Sequence, residues 1–135
     1  MIGVVLDTDV FSELSDSRPR ASRFASYVDG LEAALAFPSI AELHYGAEKA
    51  RWGDSRMRRL EEDIAGYALL RVTDELLRIC GRLRAEAARI GHPLAHDVHA
   101  NDLWIAACAV DYGLPLLTGN ARHFAGLPGL ELVEA

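Results

Sequence analysis

The sequence predicts an α/β fold of three layers, with helices on both faces of a mainly parallel sheet of about five strands. Two observations carry this expectation. Short apolar runs alternate along the chain with segments whose apolar residues recur at helical spacing. The first run, Ile2 to Leu6, stops abruptly at Asp7-Thr8-Asp9, as a buried strand does where it leaves the sheet. In an open α/β sheet, ligands bind outside the carboxyl ends of the strands. Acids at that place point to a cation or to chemistry on a phosphate.

The elements follow in order. After the first strand, Val10 to Leu14 reads as a short helix. Arg20 to Leu31 reads as a helix with Phe24, Tyr27, Val28 and Leu31 on one face, and Ala33 to Phe37 as the second strand. Ser39 to Arg51 and Arg56 to Ile64 form a helical pair, and Tyr67 to Val72 is the third strand. Thr73 to Ile90 is a long helix striped by Leu76, Leu77, Cys80, Leu83, Ala87 and Ile90. Gly91 closes it and Pro93 follows, the usual order past a helix end. Asp102 to Tyr112 is an apolar helix closed by Gly113. Pro115 to Leu117 and Leu130 to Val133 complete the strands.

A chain of 135 residues fits a single domain with its own core, and no repeat, linker or low-complexity tract divides it. The longest apolar run, Leu103 to Val110, is eight residues, too short to cross a bilayer. The N-terminus has no basic region and meets Asp7 too early for a signal peptide, so the expected location is the cytoplasm. Cys80 and Cys108 sit among apolar neighbours at helical positions and read as two buried thiols. A net charge of −6 argues against a general nucleic-acid coat, which needs many cationic contacts to phosphate. It leaves room for a nuclease whose acids gather at one metal site. The basic residues are thirteen Arg and the single Lys49.

Each candidate acid has a local role and a possible shared one. Asp7 and Thr8 suit the cap of the helix that follows. Ser39-Ile40-Ala41-Glu42 has the form of a capping box, which would hold Glu42 in the first turn after the second strand. Asp102 opens an apolar helix, where an acid complements the helix dipole but, at a buried mouth, needs a partner. Thr118-Gly119-Asn120 ends a strand at the same sheet edge. Converging carboxylates repel and their pKa values rise. No Lys or Arg belongs to these motifs, so a bound hard cation is the simplest neutraliser. All-oxygen ligands favour Mg²⁺ or Mn²⁺ over zinc.

Three segments then carry a resemblance: VVLDTDVFSEL from Val4, PSIAELHYGAEKA from Pro38 and NDLWIAACAVDYGLPLLTGNARHF from Asn101. In order and spacing the chain resembles the PIN domain, and within it the small VapC-type toxins of bacterial toxin–antitoxin pairs. The resemblance implies a PIN-like α/β/α fold and a metal-dependent endoribonuclease. It matches Asp7, Glu42 and Asp102 to the family's acidic positions, with Asp7 and Asp102 most often assigned to Mg²⁺. Thr8, Ser39 and Thr118 match polar positions beside the site. Asn120 falls where many relatives carry a fourth Asp, which removes one charge. The implied reaction is in-line attack of an activated water, oriented by Glu42, leaving a 5′-phosphate and a 3′-hydroxyl. The implied partners are an RNA substrate, a cognate antitoxin and a second copy in a homodimer or a toxin–antitoxin assembly.

Other signals are less directional. His92, His96, His99 and Asp97 crowd one segment at irregular spacing, which reads as a loop beside Asp102 more than as a transition-metal site. Arg51, Arg56, Arg58 and Arg59 read as a solvated face, an RNA contact or a docking site for an acidic partner. Phe24, Tyr27, Tyr45 and Trp52 are candidates for a partner surface, on composition alone. His44 and His123 receive no role. Two other functions stay open. Asp7-Thr8-Asp9-Val10 looks like the opening motif of haloacid-dehalogenase phosphatases, with Asp7 as nucleophile and Asp9 as acid, although Lys49 is the only Lys and no late acidic pair follows. The other is a PIN-like module that binds RNA or protein without cleaving.

Overall fold

The computed structural model describes residues 2–15 and 22–133. Its elements are β1 (Ile2–Leu6), α1 (Thr8–Leu14), α2 (Ala25–Val28), β2 (Glu32–Ala36), α3 (Phe37–Lys49), α4 (Asp54–Ala65) and β3 (Ala68–Leu70). Then come α5 (Asp74–Ile90), two short 3-10 turns (Pro93–Ala95 and Asp97–His99), α6 (Ala100–Tyr112), β4 (Leu116–Leu117) and α7 (Ala121–Phe124). The four strands are parallel in the order β3-β2-β1-β4. The expected fifth strand, Leu130 to Val133, contributes one parallel bridge, Leu116 to Leu132. Backbone bonds from Leu116 N to Glu131 O and from Val133 N to Leu116 O, both 2.9 Å, are its whole ladder. With β4 only two residues long, there is little backbone for a further strand to pair with.

Period-two alternation sorts the strand side chains to the two faces. Val4 and Leu6 join Val10, Phe11, Leu35, Ala47, Leu60 and Ile64 in a core under α1, α3 and α4. Val5, Ala34 and Ala36 join Leu76, Cys80, Leu83, Ile105 and Cys108 in a core under α5 and α6. The three-layer expectation therefore holds, with a sheet of four strands.

Several sequence readings are corrected by the packing. The helix expected over Arg20 to Leu31 is the single turn Ala25–Val28. Arg20 and Ala21 lie outside the described residues. Phe24 is 2 % exposed and belongs to the core, so it cannot form a partner surface. On α5 the buried stripe is Leu76, Ile79, Cys80, Leu83 and Ala87. Leu77 and Ile90 face solvent, because a period of 3.6 carries both off that stripe. Gly91 ends α5 and Gly113 ends α6 with φ of 71° and 65°, the left-handed closure that glycine makes without strain. Cys80 and Cys108 are free and buried, and burial pushes the Cys108 thiol up to about 12.

Candidate active site

The strand order creates the site. From β1 the chain winds outward to β2 and β3, then returns to place β4 on the other side of β1. The crevice at such a reversal is the general ligand position in open α/β sheets. Asp7 follows β1 and Thr118 follows β4, and Asp7 N donates to Leu117 O at 2.9 Å, so the two strand ends are tied together.

Asp7 is the N-cap of α1 and also the deepest carboxylate of the crevice, 8 % exposed. Its Oδ1 accepts from Thr8 N at 2.9 Å, and its Oδ2 accepts from the Thr118 hydroxyl at 2.7 Å. Burial raises its pKa above the ordinary 3.8. The Thr118 and Thr8 bonds oppose that rise, while the charges of Asp9 and Asp102 add to it.

Glu42 arrives by a route different from the expected capping box. α3 begins at Phe37, three residues earlier than the Ser39 cap requires, with Pro38 in its first turn and Ala36 as N-cap. Proline fits there because the first turn has no intrahelical acceptor to lose. Ser39 is therefore inside the helix, fully buried, and Glu42 lies one turn further along. The Thr8 hydroxyl bridges to both, 2.9 Å from Ser39 Oγ and 3.3 Å from Glu42 Oε1. Burial raises the Glu42 pKa, the Asp102 and Asp7 charges push it further, and the Thr8 bond pulls it back.

Asp102 stands in the first turn of α6. Its negative charge helps to raise the pKa of both Asp7 and Glu42, so it stands near enough to share the crevice with them. Its Oδ2 meets His123 Nε2 at 2.9 Å. His123 is the participant that the sequence reading missed. The one available signal was its position three residues past Asn120, on the turn after β4. The Asn120 side chain is exposed, and its part in the hydrogen-bond chain is a backbone N–H donated to Thr118 Oγ1 at 3.0 Å.

The His-rich segment divides. His92 is structural: its Nδ1 accepts from Leu94 N at 3.1 Å and its Nε2 lies 2.9 Å from Ala125 O. Asp97 pairs with Arg84. His99 alone joins the site, its ring 4.5 Å from that of His123 between centroids. Asp9 turns to the loop after β4, where its Oδ2 accepts from Gly119 N at 3.1 Å. Among the described residues no Lys or Arg is paired with Asp7, Glu42 or Asp102.

Comparison with known proteins agrees with this geometry. The PIN domain family profile matches residues 4–130. Ribonuclease VapC5 of Mycobacterium tuberculosis is 36 % identical over 132 residues, covering 96 % of this chain and 91 % of that protein. The tRNA(fMet)-specific endonuclease VapC of Salmonella typhimurium is 28 % identical over 134 residues, covering 99 % of this chain and 98 % of that protein. In solved structures, VapBC-5 from Mycobacterium tuberculosis, a member of the VapBC family of toxin–antitoxin systems, matches with a TM-score of 0.71 and 30 % identity over the full length of both chains. A sheet reversal flanked by three carboxylates, a family profile over nearly the whole chain and full-length relatives agree: the chain belongs to the PIN-domain family, among its VapC members.

Proposed function

We propose that this protein is the toxin of a toxin–antitoxin pair and hydrolyses RNA phosphodiester bonds with the help of a hard divalent cation. The observation that carries the reading is the electrostatics of the crevice. Asp7 and Glu42 are drawn toward protonation by burial and by Asp102, and no Lys or Arg among the described residues offsets them. A buried, unpaired carboxylate is costly unless it is neutralised or coordinates a metal. Oxygen donors from Asp7 and Asp102, with Glu42 beside them, fit Mg²⁺ or Mn²⁺. When bound there, such an ion supplies charge to the scissile phosphate and acidifies a water.

The protein's own groups have distinct tasks. Thr118 and the Thr8 N–H hold both Asp7 oxygens, fixing the carboxylate against rotation. Thr8, backed by the buried Ser39, positions the Glu42 carboxylate. Glu42 is suited to orient the attacking water and accept its proton, since a raised pKa brings a carboxylate closer to the working range of a general base. Asn120 would contribute its exposed amide at the mouth of the crevice, without the charge of an Asp.

The antitoxin reading has its own support. A groove of about 580 Å³ between α1, α3 and α4 is lined by Phe11, Leu43, Trp52, Arg56 and Leu60. Arg56 stacks over Trp52 at 4.1 Å, and Tyr45 on α3 is 66 % exposed. An apolar antitoxin segment carrying acidic side chains suits that mixture. Arg59 also lines it, as do Glu13 and Asp63, while Arg51 and Arg58 are exposed elsewhere on the surface.

The test is cleavage of total RNA by purified protein with Mg²⁺, with a chelator, and with Asp7→Asn. Cleavage that needs the cation and Asp7 supports the reading, and 5′-end mapping then names the target. A wild-type protein that stops growth equally well as Asp7→Asn, with no RNA cut, would establish the non-catalytic alternative.

A further inference from the structure

His99, Asp102 and His123 present three metal-ligating side chains to one another, with their donor atoms all within 4.8 Å. From this trio we propose a second site, separate in chemistry from the oxygen-lined crevice, that binds a borderline divalent ion of the Zn²⁺ class.

The ligand set comes from two places in the chain. His99 ends the second 3-10 turn and Asp102 follows three residues later in the first turn of α6, a spacing that puts both side chains on one face. His123 enters from α7, and its ring is held edge-on against His99 at 4.5 Å and against the buried Phe124 at 5.5 Å. Bonds of ~2.0–2.2 Å from Zn²⁺ to imidazole nitrogen and carboxylate oxygen leave adjacent donors roughly 3–3.5 Å apart. The 2.9 Å contact between His123 Nε2 and Asp102 Oδ2 is close to that spacing, and a His99 ring nitrogen lies within 4.8 Å of both donors. All three residues are half-buried, so an ion can enter while shedding part of its water.

Two imidazoles and one carboxylate select the metal. Nitrogen donors suit Zn²⁺, Co²⁺, Ni²⁺ and Fe²⁺, and they are poor ligands for Mg²⁺. Zn²⁺ sites with three protein ligands of this type keep a fourth position for water. The site shares Asp102 with the crevice and nothing else, so its occupancy does not depend on whether the protein cleaves RNA.

The experiment uses Co²⁺ as probe, titrated into the wild-type protein, His99→Ala, His123→Ala and Asp7→Asn. Visible ligand-field absorption reports binding and circular dichroism reports the fold. The expected result is one Co²⁺ per chain in the wild type and in Asp7→Asn, displaced by Zn²⁺ and not by Mg²⁺. Affinity falls by more than ~100-fold in each His variant, since even supporting groups around a metal are worth 10–100-fold. His99→Ala alone decides if His123→Ala does not fold, because His99 makes no hydrogen bond through its side chain among the described residues. Co²⁺ absorption that survives in His99→Ala, or that vanishes in Asp7→Asn while surviving in the His variants, overturns the assignment. It would show that the imidazoles only hold Asp102 in place. Loss of RNA cleavage in Asp7→Asn with Co²⁺ binding intact separates this site from the proposed nuclease chemistry.

Discussion

The two walls of the crevice hold their carboxylates in opposite ways. On one wall Asp7 and Glu42 are gripped by hydroxyls and a backbone N–H, in the order Thr118, Asp7, Thr8, Ser39 and Glu42. On the other wall Asp102 is half-exposed at a helix start and touches an imidazole. Neutral donors fix geometry without cancelling charge, so the first wall keeps an electrostatic debt that a cation can relieve. The second wall carries a group that can itself ligate or donate. A site built this way would hold the proposed metal on its hydrogen-bonded wall and leave the other wall free to meet a substrate or second ion.

The largest expected effect treats the walls alike. Asp7→Asn and Asp102→Asn should each lower Mg²⁺-dependent cleavage by more than ~10³-fold, because each would remove a charge that the proposed reaction relies on. Single-turnover rates on a mapped RNA measure this. Glu42→Gln should cost less, about 10²-fold, the usual worth of a positioned general base. Equal losses at all three would mean that Glu42 is a metal ligand of the same rank as Asp7.

Stability separates the walls. Asp7 and Glu42 have folded-state pKa values above their ordinary 3.8 and 4.5. Between the ordinary and the raised value the folded protein holds more protons than the unfolded chain, so these groups destabilise the fold as pH rises through that window. Above the window their contribution is flat. Metal-free protein should therefore lose some stability on going from mildly acidic to neutral pH. Mg²⁺ should restore it at neutral pH only: an ion at a hundred times its Kd adds about 2.7 kcal/mol. For a chain of this size that is roughly 10 °C in Tm. Thermal melts at several pH values, with and without Mg²⁺, check it. A Tm that ignores Mg²⁺ at neutral pH would remove the debt from the first wall.

Thr118→Val sharpens the same contrast at smaller scale. It deletes the donor to buried Asp7 Oδ2 and leaves the shape of the side chain nearly unchanged. The expected cost is about 1–3 kcal/mol for the carboxylate oxygen left without its bond. Cleavage should fall roughly tenfold, as for groups that orient a metal ligand. Urea unfolding and initial rates measure the two effects.

How much of this was legible in the sequence follows physical lines. The strand that ends at Asp7 could be read because an apolar run broken by acids is a local pattern. Asp102 could be read for a similar reason, as an acid opening an apolar helix. The capping box at Ser39 was misread because Phe37 and Pro38 are compatible with a helix start, which let α3 begin early and drew Ser39 inside. Both frames still bring Glu42 to the crevice. His123 was invisible locally, since its contact with Asp102 spans 21 residues and depends on α7 folding back over α6. The short β4 likewise reduced a fifth strand to a bridge, something that hydrophobicity alone does not report.

The smallest expected effect concerns Asp9, which belongs to neither wall. Its Oδ2 accepts from Gly119 N at 3.1 Å and pins the loop after β4 against the start of α1. Asp9→Asn keeps an acceptor for that bond and removes one of the charges that raise the Asp7 pKa. Metal-free protein should then be slightly more stable at neutral pH, by about 0.5 kcal/mol or less, as for other exposed like-charge contacts. Cleavage should stay within about threefold of wild type, a change below what loss of any reacting group produces. Gly119 shows why the bond is tight: a Cβ there would sit 2.5 Å from Asp9 Oδ2 and 2.9 Å from an Arg23 nitrogen. A phosphatase using Asp7 as nucleophile would instead need Asp9 as its acid, and Asp9→Asn would abolish its turnover. Rates for Asp9→Asn on RNA and on a phosphate monoester, measured side by side, therefore decide between the two chemistries with a substitution that hardly disturbs the fold.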